Sequence, residues 1–213
     1  ERVNAIESAG MFLSIGSDSL SEAARSGAFG VAIGDSAQAS VEHEGGTAVG
    51  AYANAGGKNS VALGRGALVE KGAENSFALG AGTRAAAVET TALGANSRVE
   101  ASAARSVAVG AGSIARESDT VSFGTSLYQR RLVNVSRGIA DGDVATIAQL
   151  NETLAGFGGS AGMDALGNVV GPTYSVQGGK QDNVGDALAA LDGAVVRSDS
   201  RVDGLEGQLR ATF

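Results

Sequence analysis

Along the first 125 residues the chain repeats a short pattern: an apolar residue or Thr, a small residue, an aliphatic or aromatic residue, then Gly. It reads VAIG at 31–34, TAVG at 47–50, VALG at 61–64, FALG at 77–80, TALG at 91–94, VAVG at 107–110 and VSFG at 121–124, with a degenerate FLSIG ending at Gly16. From Gly16 onward the intervals are 18, 16, 14, 16, 14, 16 and 14 residues, all even. Even spacing preserves side-chain parity in a strand, where successive residues face opposite ways; helical stacking has no reason to respect it. Within one unit, residues 59–64 and then 66–69 alternate polar or small with apolar, predicting two strands of about five residues around a glycine turn, with a polar return such as 70–74. This is one turn of a parallel solenoid, and eight turns would stack to roughly 38 Å. Such a unit buries few side chains and is not stable alone. The aliphatic residues before each Gly (Ile33, Val49, Leu63, Leu79, Leu93 and Val109) predict a core ladder, within the chain or between chains, with a ligand groove as the alternative.

After Gly124 the repeat stops. Ile147, Leu150, Leu154 and Phe157 fall at a/d spacing, which predicts a short helix from near Val144 with Asp143 as its N-cap, ended by the glycines at 156, 158 and 159. A β-like interlude runs to Gly179, and Asn183 caps a last helix with Asp186 three residues inside it. Here Leu188, Val195, Val202 and Leu209 fit a positions, and Val184, Leu191, Ser198 and Leu205 fit d. Gly185, Gly193, Gly204 and Gly207 all avoid that seam but weaken an isolated helix by about 1 kcal/mol each, so association has to stabilise it. The heptads are compatible with two chains or three. Parallel strand stacks feeding coiled coils imply a rod.

Composition narrows the function classes. Of 213 residues 33 are Gly, with one Pro, three Tyr, six Phe and no Trp, which excludes a conventional core of large side chains; the absence of a G-X-Y period excludes collagen. A net charge of −7 offers nothing to nucleic acid or an anionic membrane surface. Zero Cys removes disulfides, thiolate chemistry and Cys-based zinc sites. The start of the sequence lacks a signal peptide's basic region and apolar run, so export and anchoring parts are expected outside this stretch.

The repeats NSVALGRGALV (59–69) and NSFALGAGTRA (75–85), the segment RRLVNVSRGIADGDVATIAQL (130–150), and Phe157-Gly158-Gly159 with NVGDALAALDGAV (183–195) resemble, in that order, the head repeats, neck and FGG insertion of trimeric autotransporter adhesins of the YadA-like family. The resemblance implies a mainly β fold with coiled coil. Its parts would be a trimeric left-handed parallel β-roll head over 1–128, a neck with a short coiled coil over 129–155, a β-rich FGG insertion over 156–183 and a parallel trimeric coiled-coil stalk over 184–213. Left-handedness and the three chains come from the resemblance alone. It further implies a non-catalytic homotrimer on the bacterial surface, anchored in the outer membrane by a β-barrel that does not follow Phe213. Host matrix proteins such as collagen, fibronectin or laminin are the implied partners, with Asn59, Ser60, Val61, Asn75, Ser76 and Phe77 as candidate contacts and Ser60 and Ser76 expected at the surface. Arg130, Arg131, Asn134, Asp141 and Asp143 would belong to the neck, where Arg130, Arg131 and Arg137 are expected to pair between chains with Asp141 and Asp143.

Other chemistry is weaker. GAGTRA (80–85) and GAGSIA (110–115) match a loose dinucleotide fingerprint, but that fingerprint needs a strand turning into a helix, and no cofactor is expected. His43 is the only histidine and lies in a polar return loop, a poor start for a metal site or catalytic triad. Asp141-Gly142-Asp143 lacks the remaining ligands of a calcium loop. The sequons at Asn134 and Asn151 read as chance matches. Two other classes compete. A left-handed β-helix acyltransferase is disfavoured by the 14/16 period, and a phage tail fibre or tailspike by the neck and FGG motifs.

Overall fold

The computed structural model describes residues 22–40, 42 and 44–212. The degenerate first repeat ending at Gly16 and His43 lie outside the described residues. The chain divides into two units between Arg131 and Leu132.

The first unit is a two-sided roll. One parallel sheet of seven strands carries the short elements β1 (Arg25–Ser26), β3 (Gln38–Ala39), β5 (Asn54–Ala55), β7 (Leu68–Val69), β9 (Arg84–Ala85), β11 (Arg98–Val99) and β13 (Ile114–Ala115). The other sheet carries the triplets: β2 (Val31–Ile33), β4 (Thr47–Val49), β6 (Val61–Leu63), β8 (Phe77–Leu79), β10 (Thr91–Leu93), β12 (Val107–Val109) and β14 (Val121–Ser122). Each rung contributes one strand to each sheet. The registers join Ala48 to Ala62, Ala62 to Ala78, Ala78 to Ala92 and Ala92 to Ala108, which is the parity that even spacing demands. Strands are two or three residues long rather than about five, because left-handed residues bracket them. Asn59 (φ 51°) and Asn75 (φ 54°) stand two positions before their triplets, and Gly64 (φ 130°) and Gly80 (φ 134°) follow them.

The core between the sheets is one side chain thick. Ala48, Ala62, Ala78, Ala92 and Ala108 from the triplet sheet meet Ala55, Val69, Ala85, Val99 and Ala115 from the other, and all are buried. The longer intervals insert two residues into the return, at 71–72 and 101–102, and the buried alanine that follows, Ala73 or Ala103, is tied by its amide to the carbonyl of Glu70 or Glu100.

In the second unit, helix α1 (Ile147–Ala155) is capped by Thr146, whose hydroxyl accepts the Gln149 amide while the Gln149 side chain accepts the Thr146 amide. Asp143, expected in that role, stands three residues too early. Its carboxylate instead accepts the amides of Ile139 (2.9 Å) and Ala140 (3.0 Å) and closes the preceding turn. Two antiparallel hairpins follow, β15 (Gly162–Met163) with β16 (Val169–Val170) and β17 (Tyr174–Val176) with β18 (Gly179–Gln181). Helix α2 (Val184–Thr212) begins at Asn183, whose side chain accepts the Asp186 amide at 2.8 Å and donates to the Asp186 carboxylate at 2.7 Å, as the sequence suggests.

Candidate functional site

The outer surfaces of the two sheets differ in chemistry. Alternation places Ala at the centre of each triplet inward, so both flanking residues face out. On this outer face Val31, Thr47, Val61, Phe77, Thr91 and Val107 form one column, and Ile33, Val49, Leu63, Leu79, Leu93 and Val109 a second beside it. Their exposure reaches 49% at Leu63, 44% at Leu93 and 41% at Phe77. The aliphatic ladder is therefore not the core of the single chain; that core is alanine. The opposite outer face is mixed, with Gln38, Asn54, Leu68, Arg84, Arg98 and Ile114 in one column. Arg84 is paired with Glu70 and Arg98 with Glu100.

The six residues suggested by the NSVALG and NSFALG repeats do not share one surface. Ser60 and Ser76, expected outside, are fully buried. The Ser60 hydroxyl donates to the Gly57 carbonyl at 2.6 Å. That of Ser76 is within bonding distance of the Ala87 and Glu74 carbonyls and accepts the Thr90 amide at 2.9 Å. These serines satisfy backbone groups of the return turns, which could not otherwise be buried. The signal for this lay in the sequence: Ser60 has the same parity as inward Ala62, and a hydroxyl recurs at that offset in Thr90, Ser106 and Thr120. Val61 and Phe77 are register partners on the apolar face. Asn59 and Asn75 occupy an exposed corner, where the Asn59 amide group reaches the Asn75 side-chain oxygen at 3.4 Å.

That corner is a column of left-handed residues continuing through Glu89 (φ 57°), Arg105 (φ 55°) and Asp119 (φ 60°). Positive φ is uncommon outside Gly and easiest for Asn, so the Asn of the repeat has a backbone role independent of any ligand. Arg105 and Asp119 form a two-pronged pair at 2.6 and 2.8 Å, which holds the Asp119 carboxyl below its usual range; Glu89 adds to the field on Arg105.

In the second unit two of the neck charges, Arg137 and Asp143, have partners within the chain. Arg137 grips Glu152 through two bonds, at 2.7 and 2.8 Å, and holds its carboxyl low. Asp143 is held low by the two amides it accepts. The side-chain amide of Gln149 accepts from and donates to the backbone of Gly138, both at 2.9 Å, tying the loop to α1; nothing in the heptad reading pointed to this residue. Arg131, Asn134 and Asp141 are exposed. So are Ile147 and Leu150 of α1, with Leu154 half-buried, and Val184, Leu188, Leu191, Val195, Val202, Leu205 and Leu209 of α2. Among the described residues no cluster of three or more His, Cys, Asp or Glu side chains is placed to hold a metal ion.

Comparison with known proteins falls on the roll. The YadA head domain repeat family matches residues 44–67, 72–97 and 100–126. The trimeric autotransporter adhesin AtaA of Acinetobacter sp. (strain Tol 5) is 40% identical over 77 residues, which is 31% of this chain and 2% of that protein. The crystal structure of the collagen-binding domain of the Yersinia adhesin YadA aligns with 61% of this chain and 86% of its own, at 27% identity and a TM-score of 0.39. The rungs between residues 44 and 126 match the YadA head domain repeat, and over them the chain is similar to a trimeric autotransporter adhesin.

Proposed function

We propose that the chain is a segment of a bacterial cell-surface adhesin that works as a homotrimer and has no catalytic role. The observation carrying this is the pairing of YadA head repeats with an uncovered apolar face on the same roll. Two adjacent columns of Val, Ile, Leu and Phe in solvent are a costly arrangement for a lone chain, and contiguous apolar surface of this kind marks an interface. Copies of the same face around a common axis would bury it. The exposed a and d positions of α2 supply a second, separately folded element with the same need.

With Val61 and Phe77 assigned to association and Ser60 and Ser76 to the core, the residues left to meet a foreign surface are the Asn59/Asn75 corner and the opposite sheet face with Gln38, Asn54, Arg84 and Arg98. Many weak contacts repeated along a roll and across identical chains suit adhesion by multivalency. The ligand class suggested by the repeat resemblance is extracellular matrix protein, including collagen, fibronectin or laminin. Cell-surface placement and outer-membrane anchoring in the whole protein belong to the same proposal.

The test is binding of the purified chain to immobilised collagen, fibronectin and laminin, with its mass measured by light scattering. A trimer that binds at least one of them supports the proposal. A monomer overturns the association, and a trimer that binds none overturns the matrix assignment. Asn59→Ala with Asn75→Ala, checked for retained trimer mass, then asks whether the corner takes part.

A further inference from the structure

We infer that Arg130 is the terminal cap of the roll, its guanidinium replacing the backbone that would continue the last rung beyond β14. Inside the roll the carbonyl just after each rung glycine accepts an amide from the next rung. Ala51 accepts from Gly66, Arg65 from Gly82, Ala81 from Asn96 and Ala95 from Gly112, between 2.8 and 2.9 Å. At Ala111 the donor is instead Nη2 of Arg130, at 2.6 Å.

The carbonyl just before each glycine follows the same rule. Val49 accepts from Gly64, Leu63 from Gly80, Leu79 from Gly94 and Leu93 from Gly110. At Val109 the donor is the Ser113 hydroxyl at 2.6 Å, which in turn accepts Nη1 of Arg130 at 2.9 Å. The same Nη1 reaches the Phe123 carbonyl at 2.7 Å.

Steric occupancy repeats the substitution. A Cβ on Gly50, Gly64 or Gly94 would meet the carbonyl carbon of the next rung's glycine at 2.6 to 2.7 Å. On Gly110 it would meet the Arg130 guanidinium, with Cζ at 3.1 Å. The Arg130 guanidinium thus stands where the backbone of a further glycine would lie, bonding Ala111 directly and Val109 through Ser113. A stacked repeat leaves polar groups open at its last unit and needs a distinct closing element, and an open parallel edge invites another strand.

Hydrogen exchange on the whole chain tests this. In Arg130→Ala, the amides of Gly110, Gly112, Ser113 and Ile114 should exchange faster by about tenfold or more, while those of Gly64, Gly66 and Gly80 stay as in the parent. Arg131→Ala should change neither set. Unchanged exchange in the last rung of Arg130→Ala, uniform loosening of the roll, or the same loss in Arg131→Ala would overturn the assignment. Should Arg130→Ala fail to fold, Ser113→Ala removes only the relay to Val109. Faster exchange confined to the last rung then supports the cap, and unchanged exchange rejects it.

Discussion

Gly64 lies against Gly80 so closely that a Cβ on Gly64 would sit 2.6 Å from the Gly80 carbonyl carbon, and the Gly64 backbone is at φ 130°. Both conditions exclude a side chain, and they recur down the column from Gly34 to Gly94. Gly66, two residues on, has φ 64° but open space around the Cβ direction. Gly66→Ala should therefore cost only the left-handed strain of about 1 kcal/mol, whereas Gly64→Ala should cost more than about 3 kcal/mol per chain or prevent folding. Thermal unfolding of the two variants gives the comparison; equal losses would mean that the stack tolerates a Cβ between its rungs.

The buried hydroxyl of Ser76 accepts one amide and lies within bonding distance of two carbonyls. Ser76→Ala should destabilise the head by about 1–3 kcal/mol per chain through unsatisfied backbone groups. Measured in denaturant, a change below about 0.5 kcal/mol would contradict a structural role for this serine.

On the triplet face, Leu63→Glu places a carboxylate where the proposed trimer would exclude water, and should reduce the assembled mass of a head comprising residues 22–131 to that of a monomer. Gln38→Glu, on the opposite sheet face, should leave the mass unchanged. Sedimentation of both variants distinguishes the faces; the reverse pattern would move the interface to the sheet that carries Arg84 and Arg98.

The Asp143 carboxyl is held low by the amides of Ile139 and Ala140. A depressed folded value means that its stabilisation is complete above the ordinary carboxylate range and disappears as pH falls through the depressed value. Asp119 beside Arg105 and Glu152 beside Arg137 act in the same direction, with added sensitivity to salt because these pairs are exposed. Far-ultraviolet circular dichroism during acid titration should show weakening of the neck, and Asp143→Asn should flatten that response while leaving the neutral-pH spectrum intact.

Gly204 and Gly207 lie within α2 with nothing near their Cβ directions and off the a/d seam. Replacing both with Ala should stabilise the helix by about 1 kcal/mol each and raise its melting temperature. A fall in melting temperature would show that these positions are covered in the assembly.

Much of the fold was legible because it is periodic. The even glycine intervals set strand parity and the in-register stacking of the rungs, and the Asn183/Asp186 pair set the start of α2, since each rests on short-range geometry that a sequence carries directly. Parity alone does not say which side is inward, and for that reason Ser60 and Ser76 were expected at the surface. That choice was made by volume: the gap between the sheets accepts Ala, Val and Ser but not the Leu, Ile and Phe that flank them. The partners of Arg130, Arg137 and Asp143 were equally out of reach, because they depend on where carbonyls and amides end up after the roll stops and the loop turns back. A repeating two-strand rung with glycine at each close approach is readable from the order of residues alone; which residues are core, which face is left apolar and which side chain closes the stack emerge only on folding, because they follow from the space between elements and not from their order along the chain.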